Sequence, residues 1–169
     1  MKYLIVVDMQ NDFIWGSLGT EEAKSIVPEV RKAIENFSGE IIFTRDTHTV
    51  DYLNTQEGRK LPVEHCIKGT WGWEITDELK EYTCDKKIFD KPTFGSLELI
   101  DYLKEKGDVE SVTLLGLCTD ICFVSNALIL RATYPNVKIS VDSACCGGTT
   151  EENHNSALNV MRSCMIDVN

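Results

Sequence analysis

An α/β fold, one domain with a parallel sheet covered by helices on both faces, is what this sequence predicts, and three observations predict it. Short runs rich in β-branched residues recur along the chain, they are apolar throughout instead of alternating, and segments of helical spacing separate them. Strands buried on both faces read this way, and alternation with helices implies parallel pairing. No repeat, low-complexity tract or Pro/Gly-rich linker interrupts residues 1–169, so the whole chain is read as one domain.

The first strand is Tyr3 to Val7. Val27 to Phe37 follows as a helix, with Val27, Val30, Ala33, Ile34 and Phe37 at helical spacing. Glu40 to Thr44 is the second strand. The stretch from Asp46 to Gly72 then breaks the rhythm; it carries His48, His65 and Trp71, with Trp73 just beyond. A loop this long in a compact domain is usually functional. Ile88-Phe89 marks a weaker strand, Leu97 to Leu103 a helix and Ser111 to Leu117 a strand. Cys122 to Ala132 reads as a helix, Val137 to Val141 as a strand, and Ser156 to Met165 as the last helix.

Composition narrows the function classes. Seventeen Lys and Arg against twenty-seven Asp and Glu leave a formal charge of -10, a surface that repels phosphate backbones and anionic lipids. No nucleic-acid or membrane partner is expected. No apolar run approaches the roughly 20 residues of a membrane span. The stretch Met1 to Asp8 is too short and lacks the cleavage site of a signal peptide, so a cytoplasmic protein is expected. Seven scattered cysteines, with no CxxC pair, read as free thiols of a reducing compartment.

In an open parallel sheet ligands bind beyond the carboxyl ends of the strands. The expected strands end at Asp8, at Arg45-Asp46-Thr47-His48, at Asp90-Lys91 and at Cys118-Thr119-Asp120-Ile121-Cys122. A carboxylate, a lysine and a cysteine would thus meet along one edge. With Thr119 as N-cap, Cys122 falls in the first helical turn, where the positive end of the dipole lowers a thiol pKa. Asp8 beside it would serve as general acid and base. The same spacing is also that of a packed helix cysteine and a capping aspartate. Asp46 and His48 share one face of an extended segment, and His65 returns in the same loop. One carboxylate and two imidazoles suit zinc, iron or manganese, though two hydrogen-bonded loop histidines would look alike.

Asp8-Met9-Gln10-Asn11-Asp12-Phe13, Lys91 with Phe94-Gly95-Ser96, and Gly116 to Cys122 together resemble the cysteine hydrolases of the isochorismatase-like superfamily, and within it the nicotinamidases. The resemblance implies a six-stranded parallel sheet of Rossmann-like topology and a catalytic set of Asp8, Lys91 and Cys122. It implies an oxyanion hole from the backbone amides of Cys118 and Cys122, with a cis peptide just before Cys118. Arg45 to His48 and Pro62 to Thr70 resemble the nicotinamidase metal segments, which implies Asp46, His48 and His65 as ligands of one divalent ion, zinc first. Glu57 or Glu64 is a candidate further ligand. Phe13 matches a pocket aromatic. Leu61 stands where an aromatic is common before Pro62; Trp71 or Trp73 is the candidate to replace that wall, and loop packing is the equal alternative for either. Ile14-Trp15-Gly16-Ser17 lacks the Pro-Gly-Gly step common after the first motif. The Cys145-Cys146 pair reads as packing.

The expected activity is hydrolysis of nicotinamide to nicotinate and ammonia, feeding NAD salvage, in a protein that resemblance alone makes a homo-oligomer. A second expectation is another cysteine amidase of the superfamily, acting on a small linear amide or carbamoyl compound. From a different class comes a redox-responsive, metal-binding regulator, which would need neither Asp8 nor Lys91.

Overall fold

Tyr3, Ile5 and Val7 point to one side of the first strand and Leu4 and Val6 to the other, and the core divides along the same line. This is why the strand is apolar throughout. The structure is a computed structural model describing all of residues 1–169. Six strands, β1 (Lys2–Val7), β2 (Glu40–Asp46), β3 (Lys87–Lys91), β4 (Ser111–Leu117), β5 (Lys138–Gly147) and β6 (Asp167–Val168), form one all-parallel sheet in the order β3-β2-β1-β4-β5-β6. Seven helices complete the domain: α1 (Asn11–Ile14), α2 (Glu21–Asn36), α3 (Gln56–Lys60), α4 (Asp77–Lys80), α5 (Leu97–Lys106), α6 (Val124–Thr133) and α7 (Glu151–Ser163). Helices α5, α6 and α7 pack on the Ile5 face, and α1, α2 and α4 on the Val6 face. Each fully buried aliphatic side chain of β1 contributes about 1.5–3 kcal/mol.

The strand order reverses between β1 and β4, which opens a crevice at their carboxyl ends. Gly116 makes the close approach there possible. Its φ is +117°, and a Cβ would lie 2.2 Å from the Val7 carbonyl oxygen.

Several elements differ from the sequence expectation. Helix α2 begins six residues earlier than Val27, because Thr20 caps it by accepting from the Ala23 N–H at 3.0 Å. Strand β5 runs on to Gly147 through a bulge opposite Leu114 and Gly116. The two-residue β6 is too short to leave a period in the sequence. No helix is long and apolar enough to cross a membrane.

Candidate active site

Asp8 is the first residue beyond β1, fully buried, with φ at +48°. Aspartate tolerates this left-handed conformation better than most side chains. Its N–H donates to the Thr44 carbonyl at 3.2 Å, and its Oδ1 accepts the Thr44 hydroxyl at 2.6 Å. Lys91 ends β3 and is 1% exposed. Its Nζ lies 2.6 Å from Asp8 Oδ2, 3.3 Å from Cys122 Sγ and 3.3 Å from Asp46 Oδ1, and donates to the Thr93 carbonyl at 3.3 Å. A buried ammonium is tolerated because two carboxylates face it. The structure therefore brings Asp8, Lys91 and Cys122 together as expected.

The electrostatics differ from expectation at the thiol. Burial, then the Asp8 carboxylate, push Cys122 well above the usual thiol range, and Lys91 only partly opposes them. Burial likewise raises Asp8 against the pull of Lys91. Lys91 is lifted well above its ordinary value despite burial, by Asp8, Cys122 and Asp46. Burial thus favours the thiol form of Cys122, and the Asp8 carboxylate beside it is the proton acceptor at hand.

Cys122 sits in a single π turn, Thr119–Phe123, that precedes α6. Cys118 is extended, and its carbonyl accepts from the N–H groups of Ile121 at 2.9 Å and Phe123 at 3.1 Å. The Cys118 N–H finds no backbone acceptor, and Cys118 and Cys122 both line the cavity. Two expectations are corrected here. Thr119 is not the N-cap: its hydroxyl is turned to His154 Nδ1 at 2.9 Å. Every peptide bond is trans, the one before Cys118 included; the chain enters the helix through the π turn with Cys118 still extended. Asn126 was not anticipated. Its Nδ2 donates to the carbonyls of Cys122 at 2.7 Å and Phe94 at 3.1 Å, and its Oδ1 accepts from the Ser96 N–H at 2.9 Å. A lone amide four residues beyond Cys122 in an apolar helix was the available signal.

The second cluster adjoins the first. Asp46 ends β2, its backbone clamped by Gln10, which accepts from its N–H at 2.7 Å and donates to its carbonyl at 2.8 Å. Asp46 Oδ2 is 2.9 Å from His48 Nε2 and 3.5 Å from His65 Nε2. Glu57 Oε1 lies 3.6 and 3.7 Å from the same two nitrogens. Thr55 caps α3 through the Gly58 N–H at 3.0 Å, and a Cβ on Gly58 would lie 2.1 Å from the Tyr52 carbonyl. That tight turn brings Glu57 to the histidines, whereas Glu64 is exposed. Tyr52 packs against both imidazoles, at ring-centroid distances of 4.6 and 4.9 Å.

These residues fit a metal ion. The two carboxylate oxygens lie 2.9 to 3.7 Å from the two Nε2 atoms, close to the spacing of about 3.4 Å that metal–ligand bonds near 2.1 Å give in a tetrahedron. His48 Nε2 is buried beside Asp46 yet makes no well-oriented hydrogen bond. His65 Nδ1 faces the Val63 carbonyl at 2.8 Å, which leaves Nε2 for the cluster. Burial works to raise Asp46, but the adjoining His48 and His65 imidazoles and the charge of Lys91 hold it well below the usual carboxylate range. Burial would lower His65; the Asp46 bond outweighs it and raises the imidazole. Burial and Asp46 raise Glu57.

Cys122 and the second cluster line one cavity of about 850 Å³, with Asp8 and Lys91 behind the sulfur. Phe13 and Leu61 line the cavity, with Phe94 and Ile121, motif residues that the sequence had not assigned to a pocket. Trp71 does not: its side chain is 57% exposed, and its carbonyl is held by Asn11 Nδ2 at 2.9 Å with the ring outside. Trp73 is packing, stacked under Arg45 at 3.7 Å and bonded to Thr47 at 2.9 Å. Cys145 and Cys146 are buried, as expected of packing residues.

The description of the isochorismatase domain matches residues 2–169. A nicotinamidase of Schizosaccharomyces pombe is 28% identical over 98% of this chain and 91% of its own. A probable inactive nicotinamidase of Arabidopsis thaliana is 30% identical over 95% and 87%. Among solved structures, the pyrazinamidase of Pyrococcus horikoshii in complex with zinc superposes with a TM-score of 0.84 at 29% identity, covering 99% of this chain and 98% of that one.

Proposed function

This chain belongs to the isochorismatase family and is an amidohydrolase, and from that premise we propose that it is a nicotinamidase, converting nicotinamide and water to nicotinate and ammonia. One observation carries the reading: Cys122, backed by Asp8 and Lys91, lines the same cavity as the Asp46–His48–Glu57–His65 set. A linear amide needs only the first. The second suits a substrate with a ring nitrogen to offer.

On this reading Asp8 takes the Cys122 proton as sulfur attacks the amide carbon. The Cys118 and Cys122 N–H groups receive the oxyanion. Asp8 returns the proton to the departing nitrogen, ammonia leaves, and a thioester remains. Water then loses a proton to Asp8 and attacks the acyl carbon, and the proton passes back to sulfur as nicotinate is released. Lys91 stays charged throughout and favours the ionised form of Asp8, without itself transferring a proton. Asp46, His48, His65 and Glu57 would hold a divalent ion, zinc on this reading, which supplies a Lewis acid for the pyridine nitrogen. Phe13 supplies an apolar wall for the ring.

NAD salvage, a cytoplasmic setting and a homo-oligomeric assembly belong to the same proposal. The deciding experiment is ammonia release from nicotinamide, pyrazinamide, benzamide and small ureido compounds. Preference for the two ring-nitrogen amides is expected; preference for a ureido compound would overturn the reading in favour of another amidase.

A further inference from the structure

The π turn that carries Cys122 is held from two sides. On one side Asn126 of α6 fixes the Cys122 carbonyl. On the other, the first two side chains of the turn reach the start of α7. Thr119 is fully buried, and its hydroxyl finds its partner in His154 Nδ1 at 2.9 Å. Asp120 accepts from the Thr149 N–H at 2.8 Å and from the Thr149 hydroxyl at 2.5 Å, and Asn153 Nδ2 donates to that hydroxyl at 3.0 Å. Gly148 lets the chain pass close to the helix at His154, since a Cβ there would lie 2.7 Å from the His154 Cβ. Thr119 adjoins Cys118 directly and lies three residues before Cys122, so it sits between the two amides of the oxyanion hole.

We propose that His154 is a positioning residue for the oxyanion hole, holding the Cys118 and Cys122 amides in register through the buried Thr119 hydroxyl. The inference rests on the acyl-transfer reading above. A buried hydroxyl requires a partner, and a partner on a separate helix fixes the backbone that carries it. Half-burial keeps His154 below the usual imidazole value against the nearby Asp120 and Glu151 carboxylates, so Nδ1 is free to accept at neutral pH. Displacing an oxyanion donor by a fraction of an ångström weakens the transition state while leaving ground-state binding in place.

The test compares His154→Ala, His154→Asn and Thr119→Val with the unaltered chain, using nicotinamide turnover, inhibition by nicotinate and inhibition by pyridine-3-carbaldehyde. The aldehyde forms a bond between Cys122 sulfur and its carbonyl carbon, the carbonyl oxygen becomes the oxyanion, and the thiol proton passes to Asp8. Its affinity therefore reads the hole directly. Expected for His154→Ala and Thr119→Val are falls of about tenfold in both kcat and aldehyde affinity, with KM and nicotinate affinity within about twofold. The double variant should be no worse than either single one. His154→Asn, whose amide reaches the Nδ1 position, should recover most of the loss. Parallel falls in nicotinate affinity, additive losses, or no rescue by asparagine would reduce His154 to a fold contact and overturn the proposal. Should His154→Ala fail to fold, Thr119→Val and His154→Asn decide. If the unaltered chain bound the aldehyde but left nicotinamide intact, the substrate reading would fall while the aldehyde comparison still judged His154.

Discussion

Asp8 and Lys91 come from the ends of β1 and β3 and Cys122 from the π turn after β4, whereas His48, Glu57 and His65 come from one irregular segment between β2 and β3. The first set is almost wholly buried and fixed by the sheet register. The second depends on a short capped helix, on Tyr52 wedged against two rings, and on a backbone tie from the His48 N–H to the Cys66 carbonyl at 2.9 Å. Lys91 touches both, at 2.6 Å from Asp8 and 3.3 Å from Asp46. The contrast teaches a division of labour. On the proposed function, the bond-making groups stand at the sheet edge, where small errors are costly, and the groups that recognise a substrate hang on a loop that can change without disturbing the sheet.

The sharpest way to break this division is at the sulfur. Cys122→Ala should cut kcat by at least about 10⁴-fold, because no other group in the site can form the acyl intermediate. Nicotinamide should still bind, and the thermal transition should stay in place; turnover measured on freshly purified protein checks this. The thiol itself should not be a resting thiolate. Burial and Asp8 push it up, so its alkylation by iodoacetamide should keep accelerating as pH rises past the usual thiol value, with no plateau near neutrality.

The second set should fail differently. His48→Ala, or a chelator, should weaken nicotinamide affinity by about 100-fold while Cys122 alkylation continues, because orientation is lost and the nucleophile is not. Benzamide, which has no ring nitrogen, should be a poor substrate with metal and no worse without it. Unchanged nicotinamide turnover in metal-free protein would erase the distinction between the two regions. Glu57→Gln sits at the margin of that set and should cost about tenfold in metal affinity, read by competition with a chromophoric chelator.

The same contrast decides what the sequence could reveal. Strand-end residues were legible because a strand buried on both faces ends where its apolar run ends, so Asp8, Lys91 and Cys122 could be placed without coordinates. The loop was legible only in part. Asp46 and His48 share a face by simple alternation, but Glu57 and Glu64 are both loop acids, and only the turn from Thr55 to Gly58 separates them. Trp71 shows the opposite failure: an aromatic at the right distance in sequence, with its ring turned outward. The thiol shows a third. The helix start and the ammonium can be read from sequence, but the depth of burial that outweighs them cannot.

The smallest expected effect separates Asp46 as a fold residue from Asp46 as a ligand, and it needs metal-free protein throughout. Asp46 lies below its unfolded value of about 3.9, so its contribution is complete above that pH and is lost as pH falls through the folded value. His65 lies above its unfolded value of about 6.5, so its share is complete below that pH and is lost as pH rises through the folded value. Both shifts draw on the same contact between Asp46 Oδ2 and His65 Nε2 at 3.5 Å. Asp46→Asn removes both together. The stability difference between the chain and this variant should therefore form a plateau between about pH 4 and pH 6.5 and shrink on both sides. Subtracting the two curves cancels the opposite trends of Asp8 and Glu57, whose raised values burial imposes in the chain, except for the part that Asp46 itself contributes. Urea titrations at half-unit steps from pH 3 to pH 8.5 read it. A difference that stayed flat across that range would mean the carboxylate–imidazole contact does nothing for the fold, leaving metal binding as its whole purpose.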